Sequence, residues 1–340
     1  MFDAIIVGAG PCGNMAALEL ARRGLRVAVL DGRSNIGDKL CTGIIGKECA
    51  DLWKPAPEHI YREALSATVV SPHGRRYRIE RPGAQAFIVD RVAYVNSVAE
   101  QAQQAGAKYI LNSRVIDIRI TNEYAKITYR SCNKVAAYTC RIVILASGFG
   151  SPLLRMVGIN GSKSEEYLVG CQVEAVAPGL TETEVYLGKG TAHNSFAWLV
   201  PLSDSRAFAG MAPRRRVNGQ MESFVERLNS EGRIEGIAAK PQTWGIPIRP
   251  LSPSYADRTL VAGDAAGLVK PTTGGGIYYS FLSGQIAAEA ALAAIGSGRY
   301  AAKDLRDYER NWTKIFGKEL RIGYYARMLF ETLSDEQIER

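Results

Sequence analysis

The spacing of apolar positions changes twice within the first thirty residues. Phe2 to Val7 is a short, mostly apolar run, the pattern of a strand buried on both faces. After Gly8-Ala9-Gly10-Pro11-Cys12-Gly13, the apolar positions Met15, Leu18 and Ala21 recur at helical spacing from Asn14 to Arg23. Gly24 supplies a natural C-terminal stop for that helix. Arg26 to Leu30 then reads as a second strand ending at Asp31. Strand, glycine turn, helix and strand in this order predict a βαβ unit.

Further along, residues 67–90 break into short alternating runs around Pro72-His73-Gly74 and Pro82-Gly83, which predicts hairpins. Val92 to Ala105 has helical spacing and closes at Gly106. Three strand-like runs follow, at 108–120, 124–130 and 135–146, and another β-rich block covers 168–212. Met221 to Leu228 reads as a helix, and Thr259 to Ala262 as a short strand before a second glycine cluster. Ile277 to Ile295 is a long apolar helix expected to end at Gly296. The tail from Lys303 to Ile338 is helical, amphipathic and charged. No internal repeat interrupts this order. The fold class expected is α/β: a doubly wound, Rossmann-like domain interleaved with a β-rich one, then a C-terminal helical segment.

With 46% apolar and 22% charged residues among 340, the chain has the composition of a globular protein with a large core. No apolar stretch reaches the length of a membrane-spanning helix. The first thirty residues lack a basic leader region, so no signal peptide is expected. Six cysteines form no C-x-x-C pair and only three histidines are present, so no metal site is expected. Reduced thiols suit a cytoplasmic chain. The net charge of +8 concentrates partly at Arg75-Arg76-Tyr77-Arg78 and Arg214-Arg215-Arg216. Two readings stay open for these clusters: a solvated surface, or peripheral contact with anionic lipid headgroups. No nucleic-acid-binding motif accompanies them, and nucleic acid is not an expected partner. The sequence leaves the oligomeric state open.

Gly8, Gly10 and Gly13 fit the dinucleotide-binding pattern G-x-G-x-x-G in its required strand-turn-helix setting. The first glycine permits the tight turn, the second lets backbone approach a pyrophosphate, and the third brings helix and strand together. The helix N-terminus then faces the anion. Asp31 stands where a carboxylate can accept hydrogen bonds from a ribose, with Gly32 and Arg33 beside it. Pro11 and Cys12 complete the turn, Cys12 as a small packing residue. The second cluster runs Gly263-Asp264-Ala265-Ala266-Gly267, then Gly274-Gly275-Gly276-Ile277 at the head of the long helix.

These motifs and others resemble the large flavoprotein family that includes aromatic hydroxylases, flavin halogenases and geranylgeranyl reductases. Arg91, within Phe87-Ile88-Val89-Asp90-Arg91, matches an arginine near the flavin in that family. Ala146-Ser147-Gly148-Phe149-Gly150-Ser151 with Arg155 resembles its middle motif Ala-Asp-Gly-x-x-Ser-x-x-Arg, with Ser147 in place of Asp. The second glycine cluster is the strongest match. Asp264 is thereby expected at the ribityl hydroxyls, and the following helix N-terminus at the flavin pyrimidine edge. The resemblance implies non-covalent FAD and adds Cys41, Gly43, Val115, Ala146 and Gly148 to the cofactor-binding candidates.

Three features resemble the geranylgeranyl reductase branch. Asp38-Lys39-Leu40-Cys41-Thr42-Gly43-Ile44-Ile45 is similar to its cysteine-glycine segment, and Phe196-Ala197-Trp198-Leu199-Val200-Pro201 to its Tyr-x-Trp-x-Phe-Pro motif. Gly267 stands where aromatic hydroxylases carry a histidine. The tail from Gly317 is also similar to this branch and stops within a helix, short of the reductases' longer C-terminal part. The branch implies reduction of isoprenoid C=C bonds by hydride from reduced flavin N5, with an isoprenoid lipid or diphosphate as substrate. NADPH and ferredoxin both remain open as electron donor. Phe196, Trp198, Pro201 and Tyr278 are candidates for the substrate wall, although Phe196 and Trp198 would serve equally as core. Cys41 and His193 are the catalytic candidates. The alternative reading is a flavin monooxygenase. The expected domains are FAD-binding at 1–66, 91–160 and 255–300, substrate-binding at 67–90 and 161–254, and helical at 301–340.

Overall fold

The structure, a computed structural model, describes residues 1–37, 40–160, 166–214 and 219–340. Asp38 and Lys39 of the cysteine-glycine segment, and Arg215 and Arg216 of the second basic cluster, lie outside the described residues. The chain divides into two compact units, each assembled from three stretches of sequence.

The first unit takes Met1–Lys39, Val92–Glu166 and Pro247–Gly323. Its sheet holds five parallel strands in the order Thr259–Val261, Lys134–Leu145, β1 (Phe2–Val7), β2 (Val27–Leu30) and Lys108–Ile110. Ala4, Ile5 and Ile6 in its middle are fully buried, as an apolar run between covered faces requires. Helix α1 (Pro11–Ala21) begins three residues before the expected Asn14, because a proline suits the first helical position, where no N–H is needed. The expected run 108–120 is two strands: the chain turns at Asn112, whose φ is 51°. The second of them, Arg114–Ile120, pairs with Ala125–Ser131, which pairs in turn with the long strand Lys134–Leu145.

The long helix Ile277–Ser297 passes Gly296 and ends at Gly298, which takes the left-handed conformation of a C-terminal cap. It packs closely on α1, since a methyl group at Gly284 would fall 2.5 Å from the Cys12 carbonyl oxygen. The tail is not one continuous helix. It runs as Ala302–Trp312, a π-turn at Thr313–Gly317, Lys318–Thr332 and Asp335–Glu339. Trp312 and Phe316 stack across the π-turn with centroids 5.7 Å apart. The last helix has its own capping box, Ser334 with Gln337.

The second unit takes Leu40–Arg91, Tyr167–Ile246 and Tyr324–Arg340. Its main sheet runs Gly236–Ile237, Tyr167–Val176, Arg206–Met211, Phe196–Pro201, Thr183–Leu187, Ser66–Val70, Arg76–Glu80, and Gln242–Pro247 also pairs with Tyr167–Val176. One face of this sheet buries Val173, Leu199 and Met211 against Phe224 and Leu228 of the helix Gln220–Ser230. Residues 40–66, expected with the cofactor domain, belong here instead. Strands Ile44–Gly46 and Ile60–Ala64 both pair with Ala86–Val89, so backbone hydrogen bonds hold that segment in this unit. For the same reason only the first part of 67–90 is a hairpin, Ser66–Val70 with Arg76–Glu80. The expected separate segment 301–340 is also divided, 301–323 falling in the first unit and 324–340 in the second.

The described arginines of the basic clusters are paired within this unit. Arg75 meets Glu339, Arg76 meets the buried Glu184, Arg78 meets Glu182 and Glu80, and Arg214 meets Glu331. Their charges largely neutralise carboxylates of the same fold.

Candidate functional site

Three glycines of the first turn do different work. At Gly8, φ is +111° and a methyl group would sit 2.3 Å from the Ala146 carbonyl oxygen. At Gly13 it would sit 1.8 Å from the Gly8 carbonyl oxygen. Both positions are closed to any side chain by the fold itself. Gly10 is different: its φ of −83° suits any residue, and a methyl group there would meet no protein atom within 4 Å. Nothing in the protein requires a glycine at position 10. A group bound against the N-terminus of α1 does require one, and that N-terminus has no side-chain cap. The turn therefore fits a pyrophosphate.

Asp31 closes the turn on the other side. Its carboxylate accepts hydrogen bonds from the Ala9 N–H and the Arg33 N–H, each at 2.8 Å. Beside it opens a cavity of about 240 Å³ lined by Gly8, Asp31, Gly32, Val115, Ser147 and Phe149 among others. Arg114 lines it too, its Cβ 3.4 Å from where a methyl on Gly32 would be. Among the described residues the buried Ser147 hydroxyl oxygen has no hydrogen-bond partner, so it can bond a polar ligand in the cavity. Ala146 is held by its N–H to the Val7 carbonyl at 2.9 Å, and Gly148 follows with φ +78°.

The second cluster meets the first through α1. Gly263 donates its N–H to Ser283 Oγ at 3.0 Å, and a methyl on it would strike Cys12 Cβ at 2.9 Å. Burial pushes the Cys12 thiol up to about 12, with the charge of Asp264 adding to the shift against the Ser283 hydrogen bond. Burial thus disfavours the Cys12 thiolate, as suits a residue that packs the turn. Gly267 has φ +71° and faces the Arg249 carbonyl oxygen at 2.1 Å from an added methyl, so no histidine fits there. The loop to the helix closes on itself through Gly274 N–H to Lys270 O and Lys270 N–H to Gly275 O. At its end, a methyl on Gly276 would be 2.9 Å from Asp264 Oδ1. The carboxylate thus lies beside the residue preceding Ile277, where the helix dipole favours negative charge.

Comparison with known proteins agrees with this cradle. The family model described as an FAD binding domain matches residues 1–316. Digeranylgeranylglycerophospholipid reductase 2 of Methanothermobacter thermautotrophicus is 30% identical, covering 99% of this chain and 90% of the relative. The chain belongs to the geranylgeranyl reductase family of FAD-binding proteins. The corresponding reductase of Methanocaldococcus jannaschii is 26% identical over 100% of this chain and 89% of its own length. In fold, a geranylgeranyl bacteriochlorophyll reductase-like protein from Thermoplasma acidophilum superposes with a TM-score of 0.92 at 23% identity, covering 99% of this chain and 89% of that one. The halogenase PltM reaches 0.73 at 16% identity, over 91% and 73% of the two chains, a likeness of fold alone. This member of the reductase family is accordingly an FAD-dependent oxidoreductase.

The other candidates of the reductase lie in several places. Cys41 is half-buried and accepts the Gly43 N–H at 3.5 Å; a methyl on Gly43 would strike the Val89 carbonyl oxygen at 2.5 Å. Arg91 is buried and opens the helix Arg91–Gln104. Phe196 and Trp198 share one face of the main sheet of the second unit, with ring centroids 5.9 Å apart. That face lies opposite the apolar cluster of Val173, Leu199 and Met211, and on it Trp198 is itself buried. Pro201 does not join them: strand alternation puts it with Leu199 on the core side. Tyr278 belongs to the first unit, in the first turn of the long helix. His193 is exposed in the connection between Thr183–Leu187 and Phe196–Pro201, and among the described residues its side chain makes no recorded hydrogen bond or ion pair.

Sequence reasoning missed Gln172, which is 1% exposed on the same face as Trp198. A lone glutamine in a β-rich stretch carries no motif, and only the register of two strand pairs reveals its place.

Proposed function

We propose that this chain hydrogenates carbon–carbon double bonds of an isoprenoid lipid. The observation that carries the reading is the pair of rings Phe196 and Trp198, which stand together on the face of the second unit's sheet opposite its apolar cluster. The names of the archaeal relatives support it. An isoprenoid chain offers no hydrogen-bonding handle, so it is held by shape and apolar contact.

Bound FAD, once reduced, supplies hydride from N5. The residues of this chain do the rest. Gly10 and the N-terminus of α1 take the pyrophosphate, Asp31 holds the turn, and Asp264 with the helix at Ile277 sets the flavin end. Phe196 and Trp198 orient the alkene and exclude water. Cys41 Sγ–H is the proposed donor of the proton to the neighbouring carbon, its thiolate regaining a proton from water. Arg91 stays a flavin-side contact in this scheme. His193 and Pro201 have no role in it.

Peripheral contact with a lipid surface is part of the proposal. Among the described residues no helix is long and apolar enough to cross a membrane. Ile315 and Ile322 are 60% and 57% exposed, and Lys314, Lys318 and Arg321 are exposed around them.

The test is anaerobic. Chemically reduced protein mixed with a geranylgeranyl lipid should reoxidise, and product mass should rise by hydrogen pairs. If the reduced protein ignores prenyl lipids and instead consumes oxygen with an aromatic substrate, the proposal is replaced by a monooxygenase.

A further inference from the structure

Four neighbouring strands of the second unit put Val185, Trp198, Gly210 and Gln172 opposite one another in a single row. Strand alternation turns the whole row away from the core face, which holds Tyr186, Leu199, Ala209 and Val173. None of the four residues of the row carries a charge. Glu174, next on the same face, is already paired with Arg206 at 2.5 Å.

Among the described residues, two buried donors in this row have no hydrogen-bond partner. Trp198 is 7% exposed, and its indole Nε1–H has no partner. Gln172 is 1% exposed; Thr42 Oγ1 donates to its Oε1 at 2.7 Å, while its Nε2 has no partner. The indole lies flat over the glycine between them, since a methyl on Gly210 would meet Trp198 Nε1 at 2.7 Å. The unbonded N–H of Trp198 therefore sits above the strand position directly opposite Gln172. A second indole, Trp244, covers Gly170 in the same manner, its ring 2.5 Å from an added methyl, one residue pair along from Gln172. Two glycines thus make room for two indoles around one glutamine.

Leaving a buried donor unbonded carries a penalty, so two in one row call for a shared acceptor. We infer that Trp198 Nε1–H and Gln172 Nε2–H form a polar subsite for one neutral oxygen of the lipid substrate: an alcohol, ether or ester oxygen. A phosphate would enter this row without any cation to offset its charge, so the site selects uncharged oxygen. With its oxygen taken by the Thr42 hydroxyl, the Gln172 amide has its N–H₂ end left to donate. This subsite rests on the proposed isoprenoid reading and adds what fixes the chain's position along an otherwise featureless slot.

The experiment is equilibrium dialysis of the FAD-loaded protein against geranylgeraniol and against the corresponding C20 tetraene hydrocarbon, in the same detergent. Each neutral hydrogen bond is worth about five-fold in affinity, so the parent should prefer the alcohol by roughly 25-fold. Trp198→Phe, which keeps a ring over Gly210, should reduce that preference to about five-fold. Gln172→Met should do the same, and the double variant Thr42→Val/Gln172→Met removes both members of the pair if the single change destabilises the fold. FAD content serves as the check on folding. Equal affinity of the parent for both compounds would assign the donors to a bound water and overturn the subsite. A preference that survives Trp198→Phe and Gln172→Met together would overturn it as well, and so would failure to bind either compound. Selective binding without flavin reoxidation would leave the subsite standing and sink the proposed reaction instead.

Discussion

Replacing Gly10 and Gly8 separately should divide cofactor binding from folding. Gly8→Ala forces a side chain into φ +111° and 2.3 Å from the Ala146 carbonyl oxygen. Backbone strain of about 1–3 kcal/mol and overpacking of about 1–3 kcal/mol together destabilise the apo-protein by roughly 2–6 kcal/mol. That is a large part of the total stability of a typical domain. Gly10→Val meets neither problem, because its φ is −83° and nothing lies within 4 Å of the new Cβ. Its apo-form should lose only about 1 kcal/mol, through a poorer N-cap for α1. The cofactor is another matter. The valine occupies the path of the pyrophosphate to the helix N-terminus, and loss of two charge-assisted hydrogen bonds costs about 3–6 kcal/mol, roughly 10²- to 10⁴-fold in FAD affinity. Thermal unfolding of the stripped proteins and fluorescence titration with FAD measure the two quantities. The expected result is Gly8→Ala impaired in stability and Gly10→Val normal in stability but nearly colourless as purified. A well-folded Gly10→Val protein with full FAD occupancy would refute the reasoning.

Two further predictions come from shifted titrations. With its thiol pushed to about 12 by burial, Cys12 should carry a thiolate fraction on the order of 10⁻⁴ at pH 8 and resist iodoacetamide in the folded protein, whereas the exposed Cys132 reacts; peptide mass mapping decides between them. Burial alone would raise the Glu182 carboxyl, but hydrogen bonds from Ser66 and Thr68 and the charge of Arg78 hold it below the usual carboxylate range. A depressed carboxylate contributes stability above its unfolded pKa that is lost as pH falls through the folded one. Acid unfolding should therefore be less steep below about pH 4.5 in Glu182→Gln than in the parent, and superimposable curves would remove Glu182 from the account.

The fold was legible where local pattern and tertiary outcome coincide. β1, the glycine turn, α1 and β2 announce themselves because a buried strand, a phosphate turn and a helix each have their own residue spacing. The small sheet of Ile44–Gly46, Ile60–Ala64 and Ala86–Val89 did not, since its strands are short and pair across distant sequence. Likewise nothing in the run 108–120 marks the turn at Asn112, where a non-glycine residue adopts positive φ to move the chain from the parallel sheet into an antiparallel one. The tail reads as one amphipathic helix because its apolar spacing persists through the π-turn that the Trp312–Phe316 stack spans.

Within the site, the same letter hides opposite causes. Gly8, Gly10 and Gly13 are indistinguishable in sequence, yet two are glycine because the protein's own carbonyl oxygens leave no space and one because the protein leaves space free. A motif therefore records a requirement without saying whether backbone or ligand imposes it; the geometry of an added methyl group separates the two. Gly210 and Gly170 carry the same logic into the second unit, where no motif announced them. Each is glycine because an indole from a neighbouring strand lies on it. The Phe196–Pro201 motif was visible as a resemblance, but alternation along the strand takes Pro201 off the face that carries Phe196 and Trp198, and register adds Gln172 to that face. The phosphate turn is contiguous in sequence, since it is made by consecutive backbone N–H groups. The proposed substrate face is assembled across strands, one residue from each, and it becomes readable only when the register is known.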